Sequence, residues 1–382
     1  MKQTLLKPLL IFIVFTASAN ATSGQVKILK KLLSNEKDTT RSSSFLPLPA
    51  IAYAQETGLE FGLVTLYSFY TDRQDTLTRN SSITGIATFT TEKQVNLQLK
   101  VDVWAPQNRY HYNNEIRYRD FPFNFYGIGN RTAEADLRNL TQKLFKLVSE
   151  VEKKTGRTSY TGFAGSFENH QYTYAEETGI PISNQPFLTG REGGKVLYLG
   201  LSQILDSRNN NTYTTSGTFI KINYSYAPDL FGGENFSGSF TELDLRTFKA
   251  LNPLSIIAFN ANYQSLQGRN TPFYLMPQLG NDQMMRGYYQ GRFRDQNLLA
   301  AQAEFRYRFH PRFGMVGFAG AGTVYNNGNL NFRGVKPSLG GGFRYFFDVE
   351  RGLSIRMDYA IGEKRPLEKR QSGFYISLGE AF

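Results

Sequence analysis

The chain has 382 residues, no cysteine, one tryptophan against 23 tyrosines and 31 phenylalanines, and a formal net charge of +11. The lack of cysteine excludes disulfide scaffolds, thiolate metal centres and a lipid anchor on cysteine, and neither a metal nor a cofactor is expected. The basic residues are scattered rather than gathered into a stripe, so nucleic acid is not an expected partner; anionic lipid, lipopolysaccharide included, is.

The N-terminus has the three parts of an export signal. Lys2 and Lys7 are basic, Leu9 to Phe15 is apolar, and the small residues Ala17, Ala19 and Ala21 follow, which places cleavage after Ala21. The apolar run is too short to be a membrane-spanning helix, which needs about 20 residues, and no later stretch approaches that length. Residues 1–21 are therefore read as a signal peptide, 22–45 as a polar periplasmic tail and 46–382 as the folded unit.

From residue 45 onward, side chains alternate apolar and polar. The clearest case is Val95 to Trp104, where Val95, Leu97, Leu99, Val101 and Val103 are separated by Asn96, Gln98, Lys100 and Asp102. This is the signature of a strand with one apolar and one polar face. Strands are expected near 46–54, 59–70, 79–91, 94–104, 109–121, 139–154, 157–171, 195–206, 212–227, 234–249, 254–268, 296–309, 313–325, 336–349, 352–362 and 371–381. They are longer than the strands of soluble sandwiches and suit a tilted bilayer crossing of about 9–11 residues. Tight turns at 154–156, 208–210, 251–253, 310–312 and 351–352 alternate with long loops at 122–138, 172–194, 268–295, 326–335 and 363–370. That asymmetry, with the aromatic loading, predicts an all-β, antiparallel transmembrane β-barrel of about 16 strands in a bacterial outer membrane. An even strand number is what closure of the barrel requires.

The loop at 268–295 contains Leu279-Gly280-Asn281-Asp282-Gln283-Met284-Met285-Arg286-Gly287-Tyr288, followed by Gly291-Arg292-Phe293-Arg294-Asp295. With Tyr53, Glu56-Thr57-Gly58 and Phe125-Tyr126-Gly127-Ile128-Gly129-Asn130, it resembles the BamA/TamA family of bacterial surface antigens. In that family an Arg-Gly-(Phe/Tyr) loop tip folds back into the lumen, and Arg286, Gly287 and Tyr288 match it. Two departures stand out. Family members usually carry periplasmic docking domains, for which residues 22–45 leave no room, so a separate periplasmic subunit is a conceivable partner. Where the family often has an acid in a Phe-x-Asp-x-Gly motif, Phe318-Ala319-Gly320-Ala321-Gly322 has Gly320. A buried Arg286 needs another acceptor. Asp358 and Glu304 lie on the lumen faces of their strands and are the candidates; Asp358 is favoured, because Arg306 and Arg308 compete for Glu304.

The chain ends in an amphipathic segment whose Phe374, Ile376, Leu378 and terminal Phe382 resemble the signal by which the outer-membrane assembly machinery recognises its clients; Glu380 breaks the alternation. His111, His170 and His310 suggest no Ser-His-acid set, so no enzyme is expected. Gly340-Gly341-Gly342 lies inside a strand and is read as permitting close packing rather than binding phosphate. The resemblance implies a part in protein or lipid insertion or translocation at the outer membrane. The alternative is a passive pore or surface antigen of the same fold.

Overall fold

The computed structural model describes residues 41–54, 58–91, 93–174, 188–330 and 332–382. The expected signal peptide, residues 22–40 of the expected tail and the Glu56-Thr57 part of the first turn lie outside these. Among the described residues eighteen strands are formed, in the order β1 (Ser44–Ala54), β2 (Gly58–Phe69), β3 (Ser81–Thr90), β4 (Val95–Trp104), β5 (Tyr110–Phe125), β6 (Arg138–Lys154), β7 (Ser159–Tyr174), β8 (Gly193–Asp206), β9 (Ser216–Ala227), β10 (Ser237–Asn252), β11 (Ser255–Arg269), β12 (Gln278–Leu279), β13 (Phe293–Arg294), β14 (Asn297–His310), β15 (Phe313–Tyr325), β16 (Lys336–Asp348), β17 (Leu353–Ile361) and β18 (Ser372–Leu378). Sixteen of them form one antiparallel meander, and β12 pairs with β13 inside the long loop. β1 begins at Ser44, two residues before the expected boundary.

The alternation in the sequence becomes two faces. On β4, Leu97 and Leu99 are exposed outward, while Gln98 reaches inward and its Nε2 donates to Glu115 at 3.0 Å. Phe163, Leu199, Leu201, Ile222, Phe305 and Ile376 are all exposed on the same outward face. A continuous apolar surface of this extent is not found on soluble monomers and calls for hydrocarbon. Among the described residues no helix is long and apolar enough to cross a membrane.

The inner face is polar and bridged across its lumen. Lys221 of β9 binds Glu150 of β6 at 2.6 Å, and Arg79, before β3, pairs with Asp206 at the end of β8. Closure at the seam differs from expectation: among the described residues the edge strands β1 and β18 are not hydrogen-bonded to each other. Strand ends also differ. β9 starts at Ser216 rather than 212, β5 runs on to Phe125, and β18 stops at Leu378 rather than 381. With an even number of strands both edges start and end at one rim, called here the terminus end. Short turns at 155–158, 253–254, 311–312 and 349–352 lie at that rim, together with the longer connections 70–80 and 207–215, and the loop between β11 and β14 lies at the far end.

Candidate functional site: a loop pinned inside the barrel

The loop between β11 and β14 descends into the lumen. Met285 and Gly287 adopt positive φ (54° and 102°), and this double reversal points the Arg286 side chain at the wall. A Cβ on Gly287 would lie 3.0 Å from the carbonyl carbon of Ile361, so the tip sits against the backbone at the end of β17. Tyr288 fixes the tip from above: its hydroxyl donates to the Pro337 carbonyl at 2.6 Å and accepts from the Glu363 amide at 2.8 Å.

Arg286 is fully buried. Its Nη1 donates to Asp358 Oδ2 at 2.6 Å, its Nη2 to Glu304 Oε1, and its guanidinium lies 3.4 Å from the centre of the Phe318 ring. Both candidate acceptors are thus brought to Arg286 together rather than one to the exclusion of the other. They flank it because β14 and β17 stand on either side of β15 and β16. Gly320 of β15 lies beneath the tip, where a Cβ would meet Ala301 O at 3.0 Å and Met285 Sδ at 3.4 Å. The place of the family's acid is taken up by the loop itself, and the negative charge comes from the flanking strands.

The pair belongs to a larger network. Arg344 Nη1 binds Asp358 Oδ1 at 2.5 Å, and Arg356 Nη1 binds Asp358 Oδ2 at 3.1 Å. Arg306 Nε binds Glu304 Oε2 at 2.9 Å, while Arg308 turns away to stack on Phe346 at 3.9 Å. Arg356 Nη2 also reaches Asp282 of the loop at 2.6 Å. Glu380 supplies the fourth carboxylate, accepting from Arg344 Nε at 2.9 Å. Four guanidinium groups thereby face four carboxylates, and charge is balanced where an unpaired ion would be expensive. Gly342 makes room for it, since a Cβ there would lie 1.9 Å from Asp358 Oδ1. The glycine run accordingly packs side chains closely, as a strand glycine does.

Arg344, Asp282, Glu380 and Tyr375 were not singled out from the sequence. Glu380 had a signal, because it breaks the alternation of the last strand. After Leu378 the chain turns inward at Gly379 (φ 76°), which carries Glu380 to Arg344 and Phe382 into the lumen. A main-chain oxygen of Phe382 accepts from Arg306 Nη2 at 2.9 Å, and the Phe382 ring lies 6.0 Å from that of Phe248. Phe374 and Ile376 face outward and are exposed, whereas Phe382 does not continue their row. Tyr375 faces inward and accepts from the Gly287 amide at 2.9 Å. Deletion of Phe382 is therefore expected to lower the stability of the folded barrel by about 1–2 kcal/mol, the scale of one hydrogen bond plus a partly buried aromatic contact. Denaturant titration checks this, and an unchanged midpoint would show that the ring contributes nothing in the lumen.

The exit of the loop is clamped by the 125–130 segment. The Gly129 amide donates to the Arg294 carbonyl at 2.7 Å, and the Arg292 guanidinium lies 4.4 Å over Tyr126. Between loop tip, wall and C-terminus a cavity of about 160 Å³ remains, lined among others by Glu242, Asp244, Asn262, Met285 and Phe382. Elsewhere in the lumen, the Glu152 carboxylate stands between Ser202 and His111, accepting from Ser202 at 2.7 Å and lying 2.5 Å from His111 Nδ1. The serine hydroxyl is thus directed at an acid, not at the imidazole.

The fold resembles several solved structures. BamA from Haemophilus ducreyi lacking POTRA domains 1–3 matches at 15% identity and TM-score 0.54, covering 88% of this chain and 70% of that one. CdiB from Acinetobacter baumannii matches at 12% identity and TM-score 0.54, covering 92% and 67%. CdiB from Escherichia coli matches at 10% identity and TM-score 0.55, covering 88% and 62%. No curated protein sequence matches the chain. The model of the Omp85 superfamily domain matches residues 66–382, and that span includes the pinned loop, the four-arginine network and the in-turned C-terminus. The chain belongs to the Omp85 superfamily.

Proposed function

We propose that the protein acts in the bacterial outer membrane as a non-catalytic barrel that helps insert or translocate polypeptide or lipid. The observation that carries this reading is the pairing of a loop and C-terminus folded into the lumen with a free seam. A sixteen-stranded porin leaves an aqueous channel, but here the loop and C-terminus occupy the lumen. Among the described residues the edge strands β1 and β18 lack mutual pairing, and an unpaired edge is a template for another strand. A passive solute pore needs the opposite arrangement, with an open lumen and a sealed seam.

The partners that suit this role are outer-membrane lipid and lipopolysaccharide, the outer-membrane assembly machinery and a separate periplasmic subunit. Depleting the protein from its native host tests the reading. Levels of folded outer-membrane proteins or of surface lipopolysaccharide are expected to fall. Unchanged levels together with altered uptake of small solutes would assign the protein to the passive-pore class instead.

A further inference from the structure

We propose that residues 207–215 form a strap that closes the terminus-end mouth of the lumen at rest, anchored by Tyr213, and that this strap must move before anything enters from that side. The connection between β8 and β9 has nine residues, at a rim where four of the six other connections have two to four, 105–109 has five and only 70–80, with eleven, is longer. Its sequence, Ser207-Arg208-Asn209-Asn210-Asn211-Thr212-Tyr213-Thr214-Thr215, contains no glycine or proline.

The strap is internally ordered by its own side chains. Asn209 Oδ1 accepts from the amides of Thr215 and Ser216, both at 3.1 Å. Asn210 Oδ1 accepts from the amides of Thr212 at 2.7 Å and Tyr213 at 3.2 Å. Such Asx contacts give the backbone local partners in place of a sheet ladder. The root is held by Arg208, whose Nη2 donates to Asp206 at 2.8 Å and whose guanidinium lies 4.4 Å over Phe219.

Its tip makes contacts across the lumen in two directions. Asn211 Nδ2 donates to the carbonyl of Asn80, in the β2–β3 loop, at 2.9 Å. The Thr212 hydroxyl donates to the carbonyl of Arg351, in the β16–β17 turn. In the order of the sheet each of these turns lies six strands from the strap, so three distant parts of the wall meet in the mouth. Tyr213 is the anchor. Its ring meets the buried Phe346 edge-on at 5.1 Å, with the Arg308 guanidinium 5.2 Å away. Gly352, at φ 67°, gives way to it, since a Cβ there would lie 2.3 Å from Tyr213 Cβ.

These contacts are few, polar and at a rim, so the strap opens at a lower free energy than the sheet that bears it. The ring in its socket is the principal apolar contact to be broken. Closure of the terminus end by the strap is independent of the loop that enters the lumen from the far end.

The absence of cysteine makes a direct test available. Ser166→Cys places one thiol on the inner face midway along β7. In nanodiscs, the full chain carrying this residue is exposed to a membrane-impermeant maleimide. Adding Tyr213→Ala is expected to speed labelling about tenfold, the factor that loss of one aromatic contact gives to a local opening equilibrium. Tyr213→Phe, which keeps the ring, should label at the parent rate. Should Tyr213→Ala fail to fold, Asn211→Ala with Thr212→Ala removes only the polar latches, and faster labelling is again expected. Equal rates with and without the loosened strap, whether both fast or both slow, would overturn the proposal.

Discussion

Arg286→Ala is expected to lower the unfolding free energy of the barrel by about 3–5 kcal/mol, the range seen when one partner of a buried ion pair is removed. The loss exceeds that of a surface pair because Asp358 and Glu304 remain behind, fully buried in side chain, with one guanidinium fewer to satisfy them. The same reasoning applies to Asp358→Ala, which strips three arginines of a shared carboxylate. In the double variant the mismatch is partly relieved, so the two losses should not add; residues in one network couple by about 0.5–3 kcal/mol. A double-mutant cycle by denaturant titration in detergent or liposomes reads the coupling, and the cycle with Glu304→Ala should show it too. Strict additivity in both cycles would mean that Arg286 is not held as the geometry indicates.

Leu99→Arg is expected to cost about 2–4 kcal/mol, the penalty for a cation facing lipid near the bilayer midplane. The neighbouring Gln98→Arg should be tolerated, because position 98 faces the lumen and its side chain already lies beside Glu115. The contrast between adjacent residues isolates register from local disruption, since both variants add the same side chain to the same strand. The yield of folded, heat-modifiable barrel measures it. Similar yields for the two would contradict the assignment of faces on β4.

Much of this was legible in the sequence. Strict alternation over ten residues or more admits one strand register, and each of the sixteen sheet strands overlaps its expected position. The loop tip is legible through its resemblance to the family's Arg-Gly-(Phe/Tyr) tip, set in a connection longer than an ordinary turn needs. Three features were not. The strand expected from 212 begins at Ser216, since the carboxamides of Asn209 and Asn210 draw 212–215 into the strap through contacts no periodicity reports. Alternation predicts a strand running to 381, but Gly379 allows a turn and the buried Arg344 draws Glu380 inward. The network as a whole depends on which lumen-facing charges lie opposite one another. That is set by the curvature of sixteen strands, and it could be narrowed to Asp358 and Glu304 only because both were placed on inward faces.

Whether the free seam and the pinned loop serve insertion is decided most directly by reconstitution. Liposomes bearing the full chain are mixed with a small unfolded outer-membrane barrel of the eight-stranded kind, and its conversion to the heat-modifiable folded form is followed over time. Conversion is expected to be several-fold faster than in empty liposomes, and slower again with Asp358→Ala, under conditions where that variant remains folded. Equal rates in loaded and empty liposomes, accompanied by a large, steady ion conductance from the wild-type chain, would contradict an insertion role and leave a passive pore.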